Sequence, residues 1–258
     1  MAKEYLQISV NTFFDTSFQN EVSKKVNQLY LSMEIEQLER MASLVGEPAR
    51  IKILWALMDG KAYTATELAI AADVSAQSAS MHLGKLVNAD LLKVIAQGRH
   101  RYYSYARDEV AYAVEAMANL IPRPELIKDR KTADSPFRYC RSCYDHLAGK
   151  VGVAITERLL KLDYLEEKGS IYDVTSKGNI FFKHLGIATV ALSKQQRPLA
   201  RPCLDWSERR FHLAGSIGFE MLNKMMDNHW IRRVTDSRTL MITSIGKSKL
   251  YDIIGLEV

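Results

Sequence analysis

The chain has 258 residues, 47% apolar and 25% charged, with 13 glycines, 6 prolines and 3 cysteines. That length accommodates two units with real cores, and the composition excludes collagen-like material, low-complexity tracts and a disulfide-framed secreted scaffold. The formal net charge of +5 is uneven: residues 1–120 carry 12 Lys/Arg against 14 Asp/Glu, and residues 121–258 carry 23 against 16.

No apolar run approaches the ~18–20 residues of a membrane span. The first residues, Met1-Ala-Lys-Glu-Tyr-Leu-Gln7, lack the basic-then-apolar order of a signal peptide. A cytoplasmic protein with no membrane partner is expected.

Residues 1–33 show no sustained periodicity and read as a partly helical arm. From Glu34, Leu38, Met41, Ala42 and Val45 recur at helical spacing until Gly46. Pro48 suits the first turn of a second helix, whose apolar stripe is Ile51, Leu54, Trp55 and Met58. Thr64-Ala-Thr-Glu67 is a capping box that opens a third helix. Ser75 is placed to cap a fourth, with Ala79, Leu83 and Leu86 inward and Gln77, Ser78, Met81, His82 and Lys85 outward. Residues 91–96 and 102–106 read as a hairpin turning at Gly98. A fifth helix runs from Asp108 to Leu120, followed by a linker over 121–137.

Two short helices joined by a tight turn and followed by a basic hairpin form a winged helix-turn-helix over 34–120. Residues 75–107 hold Lys85, Lys93, Arg99, Arg101 and Arg107 against Asp90 alone. Such a stripe is what phosphate counterion replacement requires. A helix fits the major groove of B-DNA, where exposed polar side chains reach base edges. The expected DNA contacts are Ser75, Gln77, Ser78, Ser80, His82 and Lys85 on the helix, with Arg99 and Arg101 on the wing.

Three blocks carry a family resemblance: Leu44-Val-Gly-Glu-Pro-Ala-Arg-Ile-Lys-Ile-Leu54, Val74-Ser-Ala-Gln-Ser-Ala-Ser-Met-His-Leu83 and Gly98-Arg-His-Arg-Tyr-Tyr-Ser104. In this order and spacing they resemble the ArsR/SmtB repressors. The resemblance implies a homodimer built on the first and last helices of the domain. It also implies an inverted-repeat operator in double-stranded DNA and release when an inducer binds. Two metal sites common in that family are missing: residues 67–73 contain no cysteine and residues 108–115 no histidine.

The second half, 138–258, repeats itself as 138–197 and 198–258. Arg141-Ser-Cys143-Tyr-Asp145 answers Arg201-Pro-Cys203-Leu-Asp205, and His146-Leu-Ala-Gly149 answers His212-Leu-Ala-Gly215. Further on, Val174-Thr-Ser-Lys-Gly178 answers Ile242-Thr-Ser-Ile-Gly246. Each copy is expected to hold a helix, a short hairpin and a final helix, giving two winged-helix-like units and a mainly α, α+β chain. This half resembles a longer branch of the same family, one associated with thiophilic metals.

The candidate sensor residues are Cys143, Cys203, His146 and His212, because paired thiolates and imidazoles suit zinc, cadmium or lead as inducer. Two other readings stay open. Nearby arginines could activate the thiols, or the arginines could pair with Asp145, Asp205 and Glu208 around structural cysteines. An organic ligand would use Tyr144, Trp206 and the arginines. Neither Gly149-Lys-Val-Gly152 nor Gly215-Ser-Ile-Gly218 completes a dinucleotide-binding fingerprint, so no certain cofactor and no enzyme is expected. The alternative outside regulation is a winged-helix scaffold for protein contacts.

Overall fold

A computed structural model describes residues 16–121 and 135–258. The first half of the arm and most of the linker lie outside the described residues.

The amino-terminal domain opens with α1 (Thr16–Val45), a single 30-residue helix that takes in the second half of the expected arm. That span contains no glycine or proline, so nothing in it stops a helix once started. Its end is capped by the buried Arg50 guanidinium, which donates to the carbonyls of Ser43 and Leu44.

There follow α2 (Pro48–Ala56), β1 (Tyr63–Thr64), α3 (Ala65–Ala72) and α4 (Ala76–Asn88). The wing, β2 (Leu92–Gln97) and β3 (His100–Tyr105), leads into α5 (Asp108–Leu120). The capping box is formed: Glu67 N donates to Thr64 Oγ1, and Thr64 N donates back to the Glu67 carboxylate at 2.7 Å. Asp73 ends α3 in the left-handed conformation, and Ser75 Oγ accepts from Ser78 N to start α4.

The strands order β1-β3-β2, all antiparallel, with Gly98 at φ 61 in the two-residue turn. Ile53, Leu54, Leu57, Leu68, Leu83, Leu86 and Leu92 form the core under α2–α4.

The carboxy-terminal domain is two copies of hairpin–helix–hairpin–helix, introduced by the short α6 (Pro136–Tyr139). The first copy holds β4 (Arg141–Cys143), β5 (His146–Ala148), α7 (Gly149–Lys161), β6 (Leu165–Lys168), β7 (Ile171–Val174) and α8 (Ser176–His184), with α9 (Thr189–Leu192) after it. The second holds β8 (Arg201–Leu204), β9 (Phe211–Ala214), α10 (Gly215–Asp227), β10 (Ile231–Arg233), β11 (Leu240–Ile242) and α11 (Ser244–Ile254).

The leading hairpins were not legible in the sequence. Their strands are three or four residues long, too short to show an alternation. The β4–β5 turn uses Tyr144 at φ 57 where glycine or asparagine would have signalled it.

The repeated motifs exist because the copies pack crosswise. The first helix of each copy lies against the leading hairpin of the other, and a Cβ at Gly218 would meet Leu213 O at 2.5 Å and His146 Cβ at 3.3 Å. The same steric demand holds at Gly152, against Leu147 O at 2.6 Å. The Thr-Ser-x-Gly motif is a second device. Thr175 and Thr243 cap α8 and α11 by accepting from Gly178 N and Gly246 N, both pressed against a strand-end carbonyl. Leu159, Phe182, Ile217, Leu222, Met225 and Leu250 fill the single core the two copies share.

The domains touch along α5. Trp55, expected inside α2's own stripe, instead stands edge-on to Trp206 with ring centroids 4.9 Å apart. Asn119 donates to Leu204 O, and Arg209 donates to carbonyls at the end of α5. Phe137 completes the amino-terminal core.

Gly218→Ala forces backbone apart and is expected to cost about 1–3 kcal/mol. Gly84, inside α4, has no atom within 4 Å of where a Cβ would sit. There Gly84→Ala is expected to stabilise by up to ~1 kcal/mol. Urea unfolding of both variants checks the opposite signs.

Candidate DNA interface and sensor centre

The exposed side of α4 presents Gln77, Ser80, Met81 and Lys85, with Ser75 exposed at the cap and Ser78 half-buried beside it. On the wing, Lys93, Arg99 and Arg101 are all exposed. The first-turn amides of α4 add the positive end of a helix dipole to this surface.

His82 does not belong to it. The residue is 7% exposed, with Nδ1 3.3 Å from Glu47 Oε2 at the start of α2. Positions 79, 82, 83 and 86 make the i, i+3, i+4, i+7 stripe of α4, so the expectation that His82 faces DNA overlooked its own helical phase.

In the second domain the structure places Cys143, His146, Cys203 and His212 together: one ligand atom from each lies within 4.8 Å of every other. The hairpins explain why. Cys143 pairs with His146 across β4–β5, and Cys203 pairs with His212 across β8–β9. The crossed packing then sets the two hairpins face to face.

The imidazoles meet through their Nε2 atoms at 3.1 Å, and each turns Nδ1 toward a carboxylate: His146 toward Asp145 at 3.2 Å, His212 toward Asp205 at 3.4 Å. Arg197 holds Asp145 with two hydrogen bonds. Asp205 is fully buried and accepts from both sides: Arg141 Nη2 bridges its oxygens at 2.9 Å, and the amides of Gly149, Ser207 and Glu208 donate to it. The third cysteine, Cys140, is sealed in the core, where burial pushes its thiol up to about 12.

Charges around the centre are matched in opposing ways. The Cys143 thiol is pushed up to about 12 by its hydrogen bond to Cys203 and by burial. The same bond lowers Cys203 against the effect of its burial, with help from Arg201. Burial disfavours the His212 imidazolium, yet the nearby Asp205 carboxylate and Cys143 sulfur outweigh it and raise its pKa. Burial likewise opposes ionisation of Asp205, but His212 and Arg141 hold its carboxyl well below the usual carboxylate range.

Sequence reasoning missed Arg197 and Arg238, and also an acid. Glu115, buried on α5, accepts from Trp206 Nε1 at 3.1 Å and Arg238 Nη2 at 2.9 Å, and lies 3.4 Å from Cys143 Sγ. A charged residue on the inward side of a helix in an otherwise apolar pattern was its one signal. Trp206 is thereby packed between domains, under the Arg138 and Arg141 guanidiniums. An apolar cavity of about 170 Å³ lies between Phe181, Met221, Trp230 and Leu250, away from the cysteines.

Comparison with known proteins agrees with this architecture. A helix-turn-helix domain family matches residues 34–95. The chain is 39% identical over 212 residues to an uncharacterized HTH-type transcriptional regulator, YdfF of Bacillus subtilis, covering 81% of this chain and 93% of that one. An alignment of that length must reach into the repeated half. Among solved structures, NolR from Sinorhizobium fredii is 25% identical, covering 35% of this chain and 90% of that one, with a TM-score of 0.33. The cadmium sensor CMTR from Mycobacterium tuberculosis is also 25% identical, over 35% and 98%, with a TM-score of 0.28. The fold, the family match and the Bacillus subtilis relative define a DNA-binding transcriptional regulator. The chain belongs to the HTH-type transcriptional regulators. Among the described residues, no helix is long and apolar enough to cross a membrane.

Because the folded pKa of Asp205 is depressed, its contribution to stability is complete above the unfolded value of ~4 and drains away as pH falls further. Asp205→Asn strands the buried Arg141 charge and is expected to cost about 3–5 kcal/mol at neutral pH. It should also flatten the acid limb of the stability–pH curve, measured by denaturant unfolding between pH 7 and pH 3.

Proposed function

We propose that this regulator is a dimeric repressor of an inverted-repeat operator, released by an inducer held in its carboxy-terminal domain. One observation carries the DNA-binding geometry: a side-chain-capped α4 turns a polar, uncharged-to-basic side to solvent in the same domain as a wing with exposed Arg99 and Arg101. In this reading α4 enters the major groove, where Gln77, Ser80 and Lys85 reach base edges. Ser75, Ser78 and the first-turn amides hold phosphate, and the wing arginines lie along the backbone.

Dimerisation is supported by the apolar residues the domain leaves uncovered. Leu38 is 69% exposed on α1 and Leu120 is 81% exposed on α5, with Met41, Met117 and Ile121 beside them. Residues of this kind on two helices that bracket a domain require a partner surface. A second copy supplies it with twofold symmetry, matching half-sites about one helical turn apart.

The wing is tested by salt. Replacing Arg99 and Arg101 together with alanine should weaken binding to every DNA sequence. It should also lower the slope of log K against log salt by about 1–2, since each phosphate contact contributes ~0.9. An unchanged slope in fluorescence anisotropy titrations excludes the wing from the backbone. On the helix, Gln77→Ala should lose about 1–3 kcal/mol of operator affinity with unaltered folding, whereas His82→Ala should lower the thermal midpoint. Leu38→Arg with Leu120→Arg should leave a monomer in sedimentation velocity.

A further inference from the structure

We propose that Cys143, His146, Cys203 and His212 form a closed four-coordinate site for one thiophilic divalent cation, zinc or cadmium, and that this ion is the inducer. The binding half of the proposal stands on the geometry of the centre; the inducer half rests on the repressor reading above.

The hydrogen-bond pattern of the histidines is the strongest argument. A neutral imidazole carries one N–H, and each ring turns Nδ1 toward a carboxylate, His146 in a hydrogen bond with Asp145 and His212 at 3.4 Å from Asp205. With the N–H on Nδ1, both Nε2 atoms present lone pairs, and they face one another at 3.1 Å. A cation resolves that opposition by accepting both. Carboxylates behind the ligand histidines are the usual outer support of such sites, fixing tautomer and ring orientation, and this chain builds that support in both copies.

Size and donor type agree. Bonds of about 2.3 Å to sulfur and about 2.0–2.1 Å to nitrogen, arranged tetrahedrally, place ligand atoms roughly 3.3–3.8 Å apart. The four atoms, all within 4.8 Å, need only a small contraction. Two sulfurs and two imidazoles select soft or borderline ions over magnesium or calcium. Coordination releases the two thiol protons to solvent, so the dication is neutralised by two thiolates. Both histidines are buried, which suits an ion held by protein atoms alone.

The route to DNA is Glu115. Its carboxylate joins α5 to Trp206, Arg238 and Cys143. Drawing Cys143 Sγ onto the ion takes it off Glu115, and α5 carries the face proposed above for the dimer. The ion thereby bears on the spacing of the two α4 helices.

The test uses the full-length reduced protein, freed of metal and titrated with Cd²⁺ and Zn²⁺, with and without operator DNA. Expected are one equivalent per chain, a thiolate-to-cadmium ultraviolet absorption band, and at least tenfold weaker operator binding in the loaded protein. Cys203→Ser and His146→Gln, each verified as folded by circular dichroism, should lose at least tenfold in Cd²⁺ affinity, and Cys140→Ala should retain it. Trp206→Phe, which removes one donor to Glu115, should still take one equivalent but show a smaller operator response. No thiolate band, or affinity untouched in Cys203→Ser and His146→Gln, overturns the site. Conversion of the two thiols to a disulfide without metal uptake overturns it too. Metal uptake without any effect on operator binding overturns the inducer role alone. Absence of operator binding in both metal-free and loaded protein overturns the repressor reading and leaves the site standing.

Discussion

Asp205 is a carboxylate with no access to water, and the second domain is arranged around satisfying it. An unpaired charge in such a place would cost several kcal/mol. Arg141 arrives from the other copy of the repeat, three backbone amides donate from the turns beside it, and His212 turns its Nδ1 toward it. Meeting that demand ties the two copies together through a contact that hydrophobic packing alone would leave free to slide. It also fixes His212, and with it the face-to-face pair of imidazoles. The crossed hairpins, the glycines at their contacts and the shared core all follow from the same close approach.

The second consequence concerns the contact between domains. Glu115 is the buried acid of α5, and Arg238, Trp206 and Cys143 all come to it from the repeated half. Arg238 also donates to Met58 O at the end of the α2 segment, so one guanidinium spans both cores. A linkage made of charge-assisted hydrogen bonds is directional and has few alternative geometries. It therefore holds the two domains in one geometry where a greasy interface would leave them freer. The four-residue centre is one side chain away from α5, whose Leu120 is exposed.

Much of the first domain was legible because its signals are local. The Thr64–Glu67 box, the Ser75 cap, the Gly98 turn and the bounds of α5 each depend on residues within a few positions of one another. The continuation of α1 back to Thr16 was hidden because that helix shows no sustained apolar stripe, leaving only its lack of breakers as a sign. His82 was misread by chemistry: a polar residue in a recognition helix was assigned outward although its position lay on the buried stripe. In the second half, Cys143, His146, Cys203 and His212 were picked out by repetition and by the chemistry of thiols and imidazoles. Repetition says that two positions are equivalent but not that they meet.

From residue types and spacing alone came the winged domain, its basic wing, the internal duplication and the four thiol and imidazole side chains worth watching. Only the tertiary structure set those four within reach of one another, put carboxylates behind both histidines, and brought Glu115 up to Cys143. The division has a physical cause. Caps, turns and amphipathic stripes are decided by neighbours along the chain, whereas a buried charge finds its partners across 28 to 123 residues of sequence, through folding that no local pattern records.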